Sequence, residues 1–368
     1  MYKESRYDFV LLMPVAILVT IGIIMVLSTS HVVGFTNFGD GYFFIKKHLF
    51  YVVLSIIALA IGAVVPYSLY RKYALWGIGL SVVLLLLTFA PGIGQKIGGA
   101  NRWLNFRVFH LQPVEVAKFF IVVFLASSLD FKQKKVAKFG QTGLPILLVC
   151  MLPVAILLQQ PDLGNVGLIL MVIFCMVFLG GFRVSHLVTI SLAGMGVIAG
   201  AIATHPYQMV RIQAFLSPMS DPTGKNYHMV QSLIAIGSGG ILGEGLGQGK
   251  LKYSYLPLQY SDFIYSIICE EGGFILGAII LGLFGFLFCR GFQIARLAGS
   301  VYGYLLAIGV TLMIVFQALL NIGVVIGVLP VTGIPLTFIS FGGTSLITSM
   351  FYVGVLLSIS RSGTKSIG

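Results

Sequence analysis

The chain has 368 residues, 58% of them hydrophobic and 9% charged, with a mean hydropathy of +1.00. Soluble globular proteins carry about 25% charged residues, so an ordinary soluble fold is excluded and one membrane domain covering residues 1–368 is expected. The formal net charge of +12 reads as basic residues flanking membrane spans, and nucleic-acid binding is not expected.

Apolar runs approaching the ~20 residues that cross a bilayer recur at 9–28, 49–65, 75–90, 114–129, 144–158, 163–181, 184–204, 263–289, 301–328 and 338–359. The predicted fold class is therefore all-α integral membrane, with about ten transmembrane helices. The first run is long for a signal-peptide core, its flank mixes Lys3 and Arg6 with Glu4 and Asp8, and no small-residue cleavage site follows, so it reads as a span. Lys132, Lys134, Lys135 and Lys138 follow the fourth run, and Arg290 and Arg296 follow the eighth. With Lys3, Arg6, Arg361 and Lys365 they fall on one side of a ten-span chain, which predicts cytoplasmic termini. Lys46, Lys47, Lys96, Arg102 and Arg107 fall on the other side.

One long extracytoplasmic loop, 205–261, separates the seventh and eighth spans. It is glycine-rich around 237–249 and carries Arg211, Lys225, Lys250 and Lys252. Its apolar pieces, such as 230–236, argue for a loop that folds back on the membrane. Two other segments, 153–167 and 329–345, are broken by Pro and Gly. They read either as tight outer hairpins or as irregular backbone lining a substrate site.

Ionisable groups at membrane depth are functional candidates. Glu115 and Lys118 stand at i, i+3, on one helix face, as a structural ion pair or as part of a polar pocket. Asp162 and Asp262 each precede a span, where a carboxylate caps a helix or faces a site. Asp262 would place a base at the membrane surface. Glu270 and Glu271 lie about two turns deeper, as structural carboxyls or as part of a polar interior. Six histidines show no metal-ligand spacing, no phosphate loop or dinucleotide fingerprint is present, and the four cysteines, in or beside spans, read as buried thiols.

The ordered motifs of the chain resemble the SEDS family of bacterial shape, elongation, division and sporulation proteins, the FtsW/RodA group. The resemblance rests on Gly99-Ala100-Asn101-Arg102-Trp103-Leu104, Gln112-Pro113-Val114-Glu115-Val116-Ala117-Lys118, Gln160-Pro161-Asp162-Leu163-Gly164 and the run 231–247. It also rests on Tyr260-Ser261-Asp262-Phe263-Ile264, on 330–335, and on Ser340-Phe341-Gly342-Gly343-Thr344-Ser345. It implies ten membrane helices in the bacterial cytoplasmic (inner) membrane, and glycosyltransfer that polymerises lipid II, a disaccharide-peptide on a polyprenyl diphosphate, into peptidoglycan. It implies a class B penicillin-binding protein as partner, with other division or elongation membrane proteins. A divalent cation, Mg²⁺ or Mn²⁺, is implied as cofactor, although the sequence shows no metal cage.

The family's loop aspartate falls on Asp262, expected to be the base for an inverting transfer. Substrate contacts are expected from Glu115, Lys118, Asp162, Arg102, Arg211, Ser340, Gly342 and Gly343, with Arg102, Lys118 and Arg211 on the diphosphate. The chain departs from the family at Gln259-Tyr260-Ser261, where a basic residue or His is common, and at Glu270-Glu271-Gly272-Gly273, where two glycines loosen a helix. Pro91-Gly92-Ile93-Gly94, Arg211-Ile212, Phe215-Leu216 and Asn321-Ile322-Gly323-Val324 resemble the division branch more than the elongation branch. A lipid II flippase, or a non-catalytic scaffold for the penicillin-binding protein, is the alternative function.

Overall fold

The structure, a computed structural model, describes residues 7–97, 100–106, 110–131, 140, 143–204, 206–217, 226–250 and 260–363. Lys3, Glu4, Arg6, Gly99, Arg107, Lys132, Lys134, Lys135, Lys138, His205, Lys225, Lys252, Gln259 and Lys365 lie outside the described residues.

Ten helices follow the ten apolar runs: α1 (Leu12–Phe38), α2 (Phe43–Val64), α4 (Ala74–Leu87), α5 (Pro113–Phe131), α6 (Leu144–Gln159), α7 (Leu163–Leu179), α8 (Val184–Thr204), α11 (Ile264–Arg296), α12 (Val301–Val325) and α13 (Gly343–Gly363). Among the described residues, six of them are long and apolar enough to cross a membrane by length and composition alone. The chain is a multi-pass membrane protein. A short helix, α3 (Tyr67–Lys72), joins α2 to α4.

Helix α12 is the hub. Along its apolar stretch 83% of residues are buried, against 11% in α8, which lies at the periphery. It packs against α5, α7, α11 and α13. Helices α2 and α13 approach through glycines: a Cβ on Gly62 would stand 2.6 Å from the Phe351 carbonyl oxygen, and one on Gly354 would collide with that of Leu59. Small residues permit such backbone contact between membrane helices.

Three features differ from the sequence expectation. Helix α1 runs on to Phe38, and α2 begins at Phe43, because its first turn holds Lys46 and Lys47 outside the apolar run. The segment expected as one long loop contains α9 (Pro206–Leu216) and α10 (Tyr227–Gly239). Met229, Val230 and Ala235 of α10 are buried, and its Ser232 Oγ donates to the Val325 carbonyl oxygen at 2.8 Å. Finally, the connection before α5 forms a small antiparallel sheet of β1 (Gly94–Ile97), β2 (Ala100–Asn105) and β3 (His110–Leu111), in that order. Gly94 and Leu111 both pair with Leu104. Strand β2 carries Arg102.

Candidate active site

Asp262 sits in the turn before α11. The residue that caps that helix is Phe263, without a side-chain cap bond, so the Asp262 carboxylate is not spent on helix capping. Its Oδ1 accepts a hydrogen bond from Ser261 Oγ at 2.9 Å. Asn321 of α12 donates from Nδ2 to the Asp262 carbonyl oxygen at 2.7 Å and to that of Ile334 at 2.8 Å. One amide thereby fixes both the aspartate backbone and the loop between α12 and α13.

That loop is the second wall. Ser340 Oγ donates to the Ser261 carbonyl oxygen at 2.6 Å and accepts from the Leu336 amide at 2.8 Å. The Phe341 amide donates to the Tyr260 carbonyl oxygen at 2.9 Å. Gly333 turns with φ of +75°, a region open to glycine. A Cβ there would lie 3.7 Å from Asp262 Oδ2 and 4.0 Å from Arg102 Nη1, so Gly333 leaves open the space that the carboxylate and the guanidinium share. Gly343 serves packing instead: a Cβ would stand 2.6 Å from the Tyr51 ring. Gly342 lies beside Pro335 and Ser345.

Two arginines bear on Asp262, each fixed by backbone carbonyls. Arg102 donates to the carbonyl oxygens of Gln160 at 3.3 Å and Pro161 at 2.5 Å. Its Nε lies 3.8 Å from Asp162 Oδ2. Arg211 of α9 donates to the Val331 carbonyl oxygen at 3.0 Å. Asp162 caps α7, accepting from the Asn165 amide at 3.5 Å and from Asn165 Nδ2 at 2.9 Å. Burial pushes the Asp262 carboxyl above the ordinary aspartate range; the Ser261 hydroxyl, Arg211 and Arg102 draw it back down, and Asp162 adds a smaller push upward. Asp262, Arg102, Arg211 and Asp162 therefore form one electrostatic cluster, assembled from four separate parts of the chain.

Glu115 and Lys118 stand apart as a buried pair, 2% and 1% exposed. Lys118 Nζ donates to Glu115 Oε1 and to Gln317 Oε1, each at 2.7 Å. Gln317 Nε2 in turn donates to Ser345 Oγ at 2.9 Å and to the Pro335 carbonyl oxygen at 3.3 Å. The pair props the loop that Asn321 also grips, because Gln317 and Asn321 stand one turn apart on α12 and hold successive carbonyls. The sequence reading assigned no role to these two amides, although polar side chains inside an otherwise apolar helix were a visible signal. His228 of α10 was passed over as one of six scattered histidines; its ring stacks on Phe263 at 5.8 Å between centroids.

Glu270 and Glu271 face a break in α11. Gly273 has φ of +66° and non-helical backbone, and the segment 240–250 docks at the gap. Glu270 Oε1 accepts from the Lys250 amide at 2.7 Å, and Glu271 Oε2 from the Gly247 amide at 2.9 Å. Ser28 of α1 donates to Glu271 Oε1 at 3.0 Å. The amides of Glu244 and Gly245 reach the Glu270 and Glu271 carbonyl oxygens. Among the described residues, no three His, Cys, Asp or Glu side chains gather as a metal-holding group.

A family model described as "Cell cycle protein", that of FtsW, RodA and SpoVE, matches residues 9–365. The chain is 38% identical over 359 residues to a probable peptidoglycan glycosyltransferase FtsW of Trichlorobacter lovleyi, covering 98% of this chain and 94% of that one. It is 39% identical to stage V sporulation protein E of Bacillus subtilis, with 98% of each covered. A solved chain from work on structural coordination of polymerization and crosslinking by a peptidoglycan synthase complex superposes with a TM-score of 0.79 at 27% identity, covering 97% of this chain and 98% of that one. The rod shape determining protein RodA of Thermus thermophilus gives 0.72 at 27% identity, with 96% and 97% covered.

Proposed function

The chain belongs to the FtsW/RodA/SpoVE family of cell cycle proteins, and on that premise we propose that it is a peptidoglycan glycosyltransferase with Asp262 as its base. The observation that carries the assignment to Asp262 is the uncapped, arginine-flanked carboxylate beside the opening at Gly333. The substrate in this reading is lipid II. The acceptor sugar hydroxyl attacks the donor anomeric carbon and gives its proton to Asp262. The bond from that carbon to the diphosphate breaks with inversion, and the polyprenyl diphosphate leaves. A base in hydrogen-bond reach and cations at the developing charge are what such a step requires. Arg102 and Arg211 supply the cations, and Asp162 orients Arg102. Ser340, Gly342, Gly343, Glu115 and Lys118 shape and support the loop that faces the substrate.

A divalent ion fits this donor set without a protein cage. Mg²⁺ is commonly held by one or two carboxylates together with substrate phosphates, and Asp262 and Asp162 bear on one space. The ion would add positive charge at the departing diphosphate.

We place the protein in the bacterial inner membrane, with both termini cytoplasmic and a class B penicillin-binding protein as crosslinking partner. The solved peptidoglycan synthase complex, in which polymerization and crosslinking are coordinated, supports that partner. The relatives named FtsW support the division branch. Purified protein incubated with labelled lipid II and Mg²⁺ is expected to make glycan strands, and Asp262→Asn to make none while the exposed-site control Lys46→Gln retains activity. Polymer from Asp262→Asn at the wild-type rate refutes the base. Transbilayer movement without polymer identifies a flippase, and partner binding with neither activity identifies a scaffold.

A further inference from the structure

At the opposite end of α5 from Glu115, a groove of about 570 Å³ is lined by Ser68, Arg71, Lys72, Ser127, Ser128 and Phe131. Its chemistry is donor-rich. Arg71 is braced, with Nη2 2.7 Å from Asp130 Oδ2 and its guanidinium 5.7 Å from the centre of the Tyr302 ring. Lys72 has no carboxylate within ion-pair distance among the described residues; its ammonium lies 5.8 Å from the centre of the Tyr73 ring. None of the three serine hydroxyls makes a hydrogen bond among the described residues. Among the described residues, Asp130 is the one acid at the edge, and it is already matched to Arg71.

The surroundings fix the depth of the groove. Phe131 is 81% exposed, and Trp76, at the adjoining start of α4, is 79% exposed. Tyr73 and Leu75 beside it are also exposed. Exposed aromatic rings at the end of membrane helices mark the headgroup level. A pocket of cations and hydroxyls at that level matches a phosphate carried on acyl chains, because the chains then lie along the apolar face of α4 while the phosphate enters the groove. Basic pockets between membrane helices hold anionic headgroups in this way.

We propose that this groove binds the phosphodiester headgroup of an anionic glycerophospholipid, with Lys72 and Arg71 on the phosphate and the Ser68, Ser127 and Ser128 hydroxyls on its oxygens. The site lies apart from Asp262 and does not depend on the glycosyltransfer reading.

The test uses the full-length protein in micelles holding equal amounts of phosphatidylglycerol and phosphatidylcholine, with bound lipid counted by native mass spectrometry. Wild type is expected to retain phosphatidylglycerol in preference to phosphatidylcholine. Lys72→Gln should lower that retention about fivefold, the factor that one charge near the surface contributes. The double change Ser127→Ala with Ser128→Ala should lower it as well, and it carries the test if Lys72→Gln does not purify. Lys46→Gln, in the first turn of α2, should leave retention unchanged. Equal retention by wild type and both groove variants overturns the proposal. So does an equal loss in Lys46→Gln, which would reduce the effect to overall charge. Displacement of the lipid by an equal concentration of inorganic phosphate would show a soluble-anion site and overturn the lipid assignment.

Discussion

A carboxylate acting as base works only when ionised, so activity rises with pH through its pKa. For Asp262 burial places that pKa above the 3.8 of an unperturbed aspartate, and the acid limb of polymerisation should lie correspondingly high. Arg211 stabilises the anion and Asp162 opposes it. Arg211→Gln should therefore move the limb to higher pH, and Asp162→Asn to lower pH, as read from initial rates of lipid II polymerisation across a pH series. Movement of both variants in the same direction would contradict the electrostatic arrangement. Much of this cluster was legible residue by residue: Asp262, Asp162 and Arg102 each stood in a motif or beside a span. The sequence left Asp162 open between capping a helix and facing a site, and Asp262 between capping a helix and acting as a base. The structure separates them, because Asp162 has Asn165 three residues ahead to cap and Asp262 has only Ser261 beside it. What the sequence withheld was the second set of hands, Gln317 and Asn321, whose amides donate to the backbone carbonyls of Pro335, Ile334 and Asp262. No residue-type pattern encodes a carbonyl acceptor.

At the scale of elements, the buried pair on α5 should matter for stability before it matters for chemistry. Lys118→Met leaves Glu115 buried and unpaired, a loss of about 3–5 kcal/mol. The double variant with Glu115→Gln should recover part of it, as followed by thermal unfolding of the detergent-solubilised protein. Gly273 makes a second test. A Cβ there would collide with the Ile241 carbonyl oxygen and the Gly243 amide, and its φ of +66° disfavours any side chain by about 1–2 kcal/mol. Gly273→Ala should open the joint between α11 and segment 240–250, and protease accessibility of that segment should rise. The ten apolar helices were readable because spans announce themselves by length. Helices α9 and α10 were not, since each is short and amphipathic; the burial of α10 comes from α11 and α12 rather than from local pattern, and α9 packs against α8. The sheet around Arg102 was missed for a related reason: its strands are two to six residues long and pair only with one another.

For the molecule as a whole, exposed apolar side chains ring the bundle while α12 is enclosed, the arrangement expected when lipid is the outer solvent. An even number of crossings puts both ends on one side. Fluorescent protein fused after Gly368 should therefore fold and fluoresce, and alkaline phosphatase fused there should be inactive; the reverse result would overturn the proposed topology. The joint at Gly273 has a further implication on this scale. Ile241, Leu242 and Leu246 project from segment 240–250 as exposed apolar side chains, and that segment is tied through Glu270 and Glu271 to the half of α11 that begins two residues after Asp262. A bilayer too thin or too thick for those side chains exerts a mismatch force, and the tether would deliver it to the helix stub beside Asp262, the proposed base. Polymerisation should then vary with acyl-chain length in reconstituted vesicles, and the dependence should flatten in Glu271→Gln, where the tether is weakened. Hydrocarbon thickness would thereby become a dial on glycan synthesis.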